Sequence, residues 1–560
     1  MTNYQFTGGT ICAPATIPGT GAISIIRVSG NEALAIADKV IDTKGVPIAE
    51  TEGYRLRYGT VFKADGSVLD NVIVSVFRAP HSYTGENSVE ISCHASRFIV
   101  NKILEFLVNA GARIAAPGEF TRRAFVNGKM DLAQAEAVAD VIASQSAASH
   151  RVAMNQLKGG FSSELKTLRE KLLTMTSLLE LELDFSEEDV EFASRKELGQ
   201  LVDDSLTHIG RLTASFSRGN AIKNGVPVAI VGATNTGKST LLNALLGEER
   251  AIVSDIAGTT RDTIEETLNI DGILFRFIDT AGIRETDETI EKIGIDRTFK
   301  KLGEAAVVLG MTDLSRGEAA VLEDTDFILS KVNEMGGVKN VGLASDGAET
   351  GGAVLAETDG ASLAETGGTP QVETGGTTPA ETSRASQHGH GDGQERKVVI
   401  LVNKCDIADD FYRDDNGTGD GSGNDLGENM AEIGGNKNVN HDNNIVSLIE
   451  NKYDSYKVIP ISAKTGKGLS TLTKTLGEIG SEITGSTDET LVTNVRHYEA
   501  LVRASMALGR VRDGLKVATL PPDLIAQDLR EALYHLGEIV GEISTDETLG
   551  NIFRNFCIGK

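Results

Sequence analysis

The spacing of apolar residues changes along the chain, and each change marks a different kind of element. Up to about residue 127 the apolar runs are short and β-branched. Residues 21–28 and 71–77 read as strands bounded by turn residues. Ile99, Ile103, Leu104 and Leu107 then fall on one stripe and predict a helix over 96–109. From Asp131 the apolar steps become three and four: Leu132, Ala135, Val138, Ala139 and Ile142, then Leu165, Leu168, Leu172, Met175, Leu179 and Leu183. No proline lies between Pro117 and Pro227, so this region predicts antiparallel helices connected near 159–160 and 186–190. Residues 221–481 alternate strand and helix, as an α/β layer does. Helices return at the end. Pro521, Pro522 and Asp523 start one that carries Leu524, Leu529, Leu533, Leu536 and Ile539, and STDE at 544–547 is a capping box for another. The pattern predicts a multidomain chain, α+β and then α/β, with one helical domain split by the α/β insertion.

Two stretches interrupt the α/β alternation. Between about 334 and 396, Glu-Thr recurs every eight residues, at Glu349, Glu357, Glu365, Glu373 and Glu381, mostly as Glu-Thr-Gly-Gly. Solenoid repeats run about 20 residues or longer and bury an apolar face. This repeat has almost no apolar face and reads as a flexible loop grown by tandem duplication. The second interruption, about 409–444, is rich in Gly, Asn and Asp. Asp414, Asn416 and Asp420 faintly resemble a calcium loop, but the terminal Glu and flanking helices are missing.

At 560 residues the chain is too long for a single core. The 54 Lys+Arg against 80 Asp+Glu leave a formal charge of −26, which argues against nucleic-acid binding through bulk electrostatics. A nucleic-acid substrate needs a local basic patch or a basic partner. Cys12, Cys93, Cys405 and Cys557 are scattered without metal-ligand spacing, as expected in a reduced cytosol. Neither a signal peptide nor a transmembrane run is expected, which points to a cytoplasmic protein away from the membrane.

The chemistry centres on GATNTGKS at 232–239, which follows the apolar run 226–231 and opens a helical stretch. This is the strand, glycine-bounded loop and helix of a phosphate-binding loop. Its backbone N–H groups wrap a polyphosphate, Lys238 neutralises β/γ oxygens, and the Ser239 hydroxyl holds Mg²⁺. Four further motifs follow in order. GTTRD at 258–262 supplies a second Mg²⁺ ligand, Thr260. DTAG, Asp279 to Gly282, follows the strand 274–278 and meets the γ-phosphate. Asn403, Lys404, Cys405 and Asp406 follow the strand 398–402, and the Asp406 carboxylate can accept two guanine N–H groups that adenine lacks. Ser462, Ala463 and Lys464 offer backbone N–H to the guanine O6. Together they predict a guanine-nucleotide domain. Ile283 stands where Ras-like enzymes carry a water-orienting glutamine, and an aliphatic side chain cannot orient water. Arg261 and Arg284 lie nearby without an evident finger role. Asn235 offers an oxygen to a monovalent cation that could replace an arginine finger.

The chain resembles the MnmE (TrmE) family of tRNA-uridine modification GTPases over its whole length apart from the two interruptions. The resemblance rests on PGTGAISIIR at 18–27, SYTGE at 82–86, APGEFTRRAF at 116–125, DLAQAE at 131–136, DFSEED at 184–189, IVSDIAGTTRD at 252–262 and the tail FCIGK at 556–560. It implies an N-terminal tetrahydrofolate-binding and dimerisation domain (1–127), a discontinuous helical domain (128–220 and 482–560) and an inserted Ras-like P-loop G domain (221–481). It also implies a homodimer, and a heterotetramer with an FAD-dependent MnmG-like partner. Together these install an aminomethyl or carboxymethylaminomethyl group at C5 of the wobble uridine of certain tRNAs, with a folate one-carbon donor. Arg27, Glu86, Lys129 and Lys560 match the folate-contacting positions. Asn235, Ser254, Ile256 and Thr259 match the potassium positions, Ser239 and Thr260 those for Mg²⁺, and Glu291 the catalytic glutamate beside Lys238 and Asn235. The GTP-contacting set further includes Thr236, Gly237, Thr240, Asp255, Ala257, Gly258, Thr280 and Ala281. Cys557 matches a cysteine suggested as a nucleophile, although no neighbouring base supports that role.

The sequence departs from the family at Ala233 and Thr234, where a proline is usual, and at Thr236, where alanine is common. Neither change removes a ligand. Two rival readings share the motifs. A regulatory or ribosome-assembly GTPase should carry a basic RNA-binding module, and none is evident. A folate enzyme with a merely structural G domain would not need every phosphate, magnesium and guanine determinant.

Overall fold

A computed structural model describes residues 8–19, 21–184, 194–249, 266–278, 305–334, 338–339, 396–406, 441–485, 490–516, 521–543, 546–554, 556 and 559. In chain order the first elements are β1 (Ile11–Pro14), β2 (Ile23–Ser29), α1 (Ala33–Val40), β3 (Ile41–Asp42), β4 (Arg55–Phe62), β5 (Val68–Phe77), β6 (Ser88–His94), α2 (Arg97–Asn109), β7 (Arg113–Ile114) and α3 (Glu119–Val126). Helices α4 (Leu132–Ala143), α5 (Ala147–Leu157), α6 (Gly160–Asp184), α7 (Arg195–Ala214) and α8 (Phe216–Asn224) follow. Then come β8 (Val226–Val231), α9 (Lys238–Glu249), β9 (Glu266–Ile270), β10 (Ile273–Ile278), β11 (Val307–Asp313), α10 (Glu318–Glu334), β12 (Val338–Lys339), β13 (Arg396–Asn403), α11 (His441–Lys452), β14 (Lys457–Pro460) and α12 (Leu469–Thr484). The chain closes with α13 (Val495–Lys516), α14 (Pro522–Val540) and α15 (Asp546–Arg554). It divides into two compact units: Met1–Val226 with Thr267–Arg276 and Thr473–Lys560, and Pro227–Glu266 with Phe277–Leu472.

The first unit contains a seven-stranded sheet of order β3-β4-β5-β6-β2-β1-β7. Alternation gives its strands two unlike faces. Ile26, Val28, Val72, Val74, Val76, Val89 and Ile91 point inward and pack with α1 and α2 residues such as Ile36, Ile103 and Leu107. Arg27 is paired across the strands with Glu90, and Tyr58 with Ile73, on the other face. The helices of the same unit share a separate core. Leu165, Leu172, Leu198, Val202 and Ile209 meet Leu501, Leu508, Leu529 and Leu536, so segments far apart in sequence bury one apolar stripe together. Asp131 caps α4 through a reciprocal box with Gln134, which fixes where this helix begins.

The second unit is built on parallel strands in the order β12-β13-β11-β8, with β14 alongside β13. Every residue of β11 and β13 is buried, as expected of a sheet covered on both faces. Val308, Val398 and Ile400 pack with Ile328 and Val332 of α10 and Ile449 of α11. Both interruptions are shorter than the sequence pattern suggests. Val338 and Lys339 pair with Arg396 and Lys397, a strand too short to leave a pattern. Helix α11 already begins at His441, inside the Gly, Asn and Asp-rich stretch of about 409–444, because Asn and Asp are weak helix formers that mask a helix start. The Glu-Thr repeat and Asp414, Asn416 and Asp420 lie outside the described residues.

Candidate functional site

The phosphate loop leaves β8 and enters α9 with little spare room. A Cβ on Gly232 would sit 2.3 Å from the Met311 carbonyl oxygen, and one on Gly237 (φ +98°) 2.5 Å from Asn403 Nδ2. Glycine alone fits these close approaches. Asn235 holds φ +63°, a left-handed conformation that asparagine tolerates better than most residues, and it is exposed. Thr236 is buried, and its hydroxyl donates to the Ala233 carbonyl at 2.9 Å. Its extra hydroxyl, relative to alanine, thus closes the loop. Lys238 Nζ donates to the Gly232 and Ala233 carbonyls at 2.8 and 2.7 Å, so the ammonium lies over the loop. Burial lowers its pKa from the ordinary lysine value. A cation held over a glycine loop at a helix N-terminus suits a polyphosphate. Ser239 and Thr240, in the first turn of α9, are exposed. The Ser239 hydroxyl is available to Mg²⁺, while Thr260 lies outside the described residues.

The guanine motifs are tied directly to this loop. Asn403, at the end of β13, donates Nδ2 to the Thr236 carbonyl at 2.6 Å and accepts at Oδ1 from Ala463 N–H at 2.9 Å. One buried amide therefore joins the phosphate loop to the 462–464 loop. Ser462 is fully buried and accepts from Thr465 N–H at 3.2 Å, while Lys464 is exposed. Lys404 has φ +66° and pairs with Asp313 Oδ2 at 2.6 Å. Cys405 and Asp406 are half-buried beside it. Asp313 also accepts from the Ser315 backbone and hydroxyl. Burial pushes its carboxyl pKa up, but Lys404 and Ser315 outweigh burial and hold it below the usual range. Sequence reasoning missed Asp313. Its one local signal is a carboxylate closing an otherwise apolar strand.

A second cluster forms on the outer face of the first unit's sheet. Arg27 pairs with Glu90 at 2.8 Å, and its guanidinium lies 5.1 Å from the Tyr83 ring centre and 5.6 Å from that of Phe120. Glu86 accepts from Arg123 NH1 at 3.0 Å and from the Ser29 hydroxyl at 2.8 Å. The Lys129 stem runs over Gly85, and its Nζ donates to the Pro80 carbonyl at 3.0 Å. Phe556 packs with Phe553 against Leu132 and Ala135. Beyond it, Gly559 (φ +101°) lies so close to β1 that a Cβ would sit 2.0 Å from the Pro14 carbonyl oxygen. Three of the four expected folate positions thus share one neighbourhood, and the chain terminus reaches the adjoining strand. Lys560 lies outside the described residues.

Ser254 to Thr260, Asp279 to Gly282, Ile283, Glu291 and Cys557 likewise lie outside the described residues. Cys12 and Cys93 are buried, and burial pushes both thiols up to about 11, which leaves them unreactive at neutral pH. Among the described residues no group of three His, Cys, Asp or Glu could hold a metal, and no helix is long and apolar enough to cross a membrane.

Comparison with known proteins bears on both sites. Residues 10–129 match the family described as GTP-binding protein TrmE N-terminus, and residues 132–557 match the MnmE helical domain. The chain belongs to the MnmE family of tRNA modification GTPases. It is similar to the tRNA modification GTPase MnmE of Bacteroides thetaiotaomicron, 43% identical over 98% of this chain and 99% of the relative. Similarity to that of Parabacteroides distasonis is 44% over 98% and 100%. The Porphyromonas gingivalis relative is 42% identical over 100% and 99%. This MnmE-family chain is therefore a multidomain α+β and α/β protein with a helical domain and an inserted P-loop G domain. It is a GTP-binding GTPase of tRNA modification, and the family sets aside the regulatory and ribosome-assembly readings.

Proposed function

We propose that this GTPase is activated by potassium and acts with an FAD-dependent MnmG-like partner. Together they install a (carboxymethyl)aminomethyl group at C5 of the wobble uridine of certain tRNAs. A tetrahydrofolate derivative at Arg27, Glu86, Lys129 and Lys560 supplies the one-carbon unit. The observation that carries this reading is the convergence of Arg27, Glu86 and Lys129 near the strand that Gly559 abuts. A guanidinium, a carboxylate and an ammonium suit a ring with N–H donors and an anionic tail. The homodimer reading draws support from Leu56, Tyr58 and Ile73. These are 67%, 65% and 48% exposed on neighbouring strands β4 and β5, an apolar face that water does not favour. In this reading the domains run 1–127, 128–220 with 482–560, and 221–481, the protein is cytoplasmic, and a heterotetramer forms with the partner.

At the nucleotide site each residue has a physical task. Lys238 neutralises β/γ oxygens, Gly237 and Thr240 supply N–H groups, and Ser239 with Thr260 holds Mg²⁺, which offsets phosphate charge when bound. Asn403 fixes the loop geometry, and Asp406 selects guanine. Ile283 cannot orient water, so Glu291 takes that part. Asn235 lends its side-chain oxygen to K⁺ together with Ser254, Ile256 and Thr259. GTP turnover in KCl should exceed that in NaCl by about tenfold or more, a barrier change of about 1.4 kcal/mol. Asn235→Ala should erase the difference while GDP binding persists. Equal turnover in the two salts would end the potassium assignment. Nucleoside analysis of tRNA from a deletion strain tests the rest, and normal wobble uridines there would reject it.

A further inference from the structure

Arg123 is the largest fully buried side chain of the described residues, with 2% of its surface exposed. Burying a guanidinium is costly unless its donors are met by acceptors and its charge by carboxylates. Here Nε and NH2 donate to Glu119 at 3.3 and 3.0 Å, NH2 donates to the Gly9 carbonyl at 2.7 Å, and NH1 donates to both Glu86 oxygens at 3.0 Å. Glu119 is in turn held by Arg113 NH1 at 2.8 Å and by Ala116 N–H at 3.0 Å. The result is a chain of alternating charges, Arg113–Glu119–Arg123–Glu86. Its last member is the carboxylate assigned above to the ligand. Glu119 keeps 7% of its side chain exposed, but Glu86 keeps 20%. Arg123 reaches Glu86 through a single nitrogen, and Ser29, itself fixed by Thr84 at 2.7 Å, supplies the other donor. A carboxylate offers about four acceptor positions, so these three hydrogen bonds leave about one open.

We propose that Arg123 is a positioning residue of the N-terminal site. With Ser29 it clamps the Glu86 carboxylate from the buried side, so that the remaining acceptor position faces an N–H donor of a folate-type ring. Arg123 itself touches no ligand. The inference rests on the folate reading above. A purely structural role would need Arg123 only to tie residues 9, 86 and 119 together, and would leave ligand affinity to Glu86 alone.

Anaerobic calorimetric titration of tetrahydrofolate into the full-length protein separates these roles. Glu86→Gln should weaken binding about tenfold or more, and Arg123→Met by a similar factor. The R123M/E86Q double variant should lose no more than the weaker-binding single one, because both changes act through one carboxylate. Arg123→Lys, which keeps a cation within reach of Glu86, should recover most of the affinity. Ser29→Ala removes the second anchor without stranding a charge and should weaken binding a few-fold. GTP affinity, measured on each preparation, should stay at the wild-type value and reports an intact second unit, while unaltered amide-exchange protection of β4, β5 and β6 reports that the first unit is folded. Wild-type folate affinity in a folded Arg123→Met, or additive losses in the double variant, would overturn the proposal. Should Arg123→Met not fold, unchanged affinity in Ser29→Ala overturns it instead. If the unaltered protein binds no tetrahydrofolate, or Glu86→Gln binds it as well as the unaltered protein does, the folate reading itself falls.

Discussion

Asn403 uses both ends of its amide on backbone groups, Thr236 on one side and Ala463 on the other. The next residue, Lys404, therefore leaves the strand end at a fixed point, and its positive φ turns the side chain toward β11. There Asp313 receives the ammonium at 2.6 Å. In the reading proposed above, with Asp406 selecting guanine, a lysine stem held at both ends is already ordered beside the base, whereas a free one would have to be ordered on binding. Asp313→Asn removes one charge from a pair whose carboxylate is 7% exposed. Charge-assisted hydrogen bonds contribute about 1.5–3 kcal/mol, so GTP and GDP affinity should both fall by about tenfold or more. The rate at saturating GTP should hold, because no reacting atom is touched. Fluorescent-nucleotide titration checks this, and unaltered affinity for both nucleotides would show that Lys404 needs no anchor.

Helices α4, α13 and α14 are joined by one buried ionic knot. Glu136 of α4 accepts from Arg496 Nε and NH2 at 3.0 Å and lies 2.7 Å from His497 Nε2, while Arg496 NH1 reaches the Glu538 carbonyl of α14 at 2.7 Å. Burial alone would raise the Glu136 pKa, but His497 and Arg496 prevail and lower it from 4.5 to about 2. A carboxyl depressed on folding stabilises the native state above its unfolded pKa, and this stability is lost as pH falls through the folded value. A shift of this size corresponds to about 3 kcal/mol. Glu136→Gln should therefore loosen α4 and α13 at pH 7 by about that amount and flatten their loss of protection between about pH 5 and 2. Amide exchange within those helices during urea titration isolates the effect in a multidomain chain. Parallel acid profiles for the variant and the unaltered protein would contradict it. The helices themselves were legible from apolar steps of three and four, and the nucleotide motifs from their contiguity after apolar strands. The knot was not legible, because Glu136 and Arg496 lie 360 positions apart. Asp313 escaped notice for the same reason, being 91 residues from Lys404, and Arg123 lies 37 from Glu86. Patterns of period two or 3.6 report burial, whereas the pairing of distant charges leaves no local trace.

At the scale of the whole molecule, the question is what the Glu-Thr repeat costs the fold that carries it. The interruption leaves the second unit at Lys339 and returns at Arg396, and these strands run side by side with Val338 opposite Arg396 and Lys339 opposite Lys397. The two strands are parallel, so the chain must double back between them, and a linker of about a dozen residues or more suffices for that return. Closing a long flexible loop costs only slightly more than closing a short one, about 0.6 kcal/mol for each doubling of length. Replacing residues 342–393 by a Gly-Ser linker of about a dozen residues should therefore leave the melting temperature within a few degrees of the full chain, with a small gain if any. Affinity for GDP should be unaltered as well, since β13 still delivers Asn403 to Thr236 and Ala463. Calorimetry and nucleotide titration of the shortened chain decide the matter together. A large drop in melting temperature would mean that the repeat folds and contributes core. Unaltered melting with altered GTP turnover would instead assign the repeat to nucleotide exchange, which its attachment at the start of the strand that ends in the guanine motif permits.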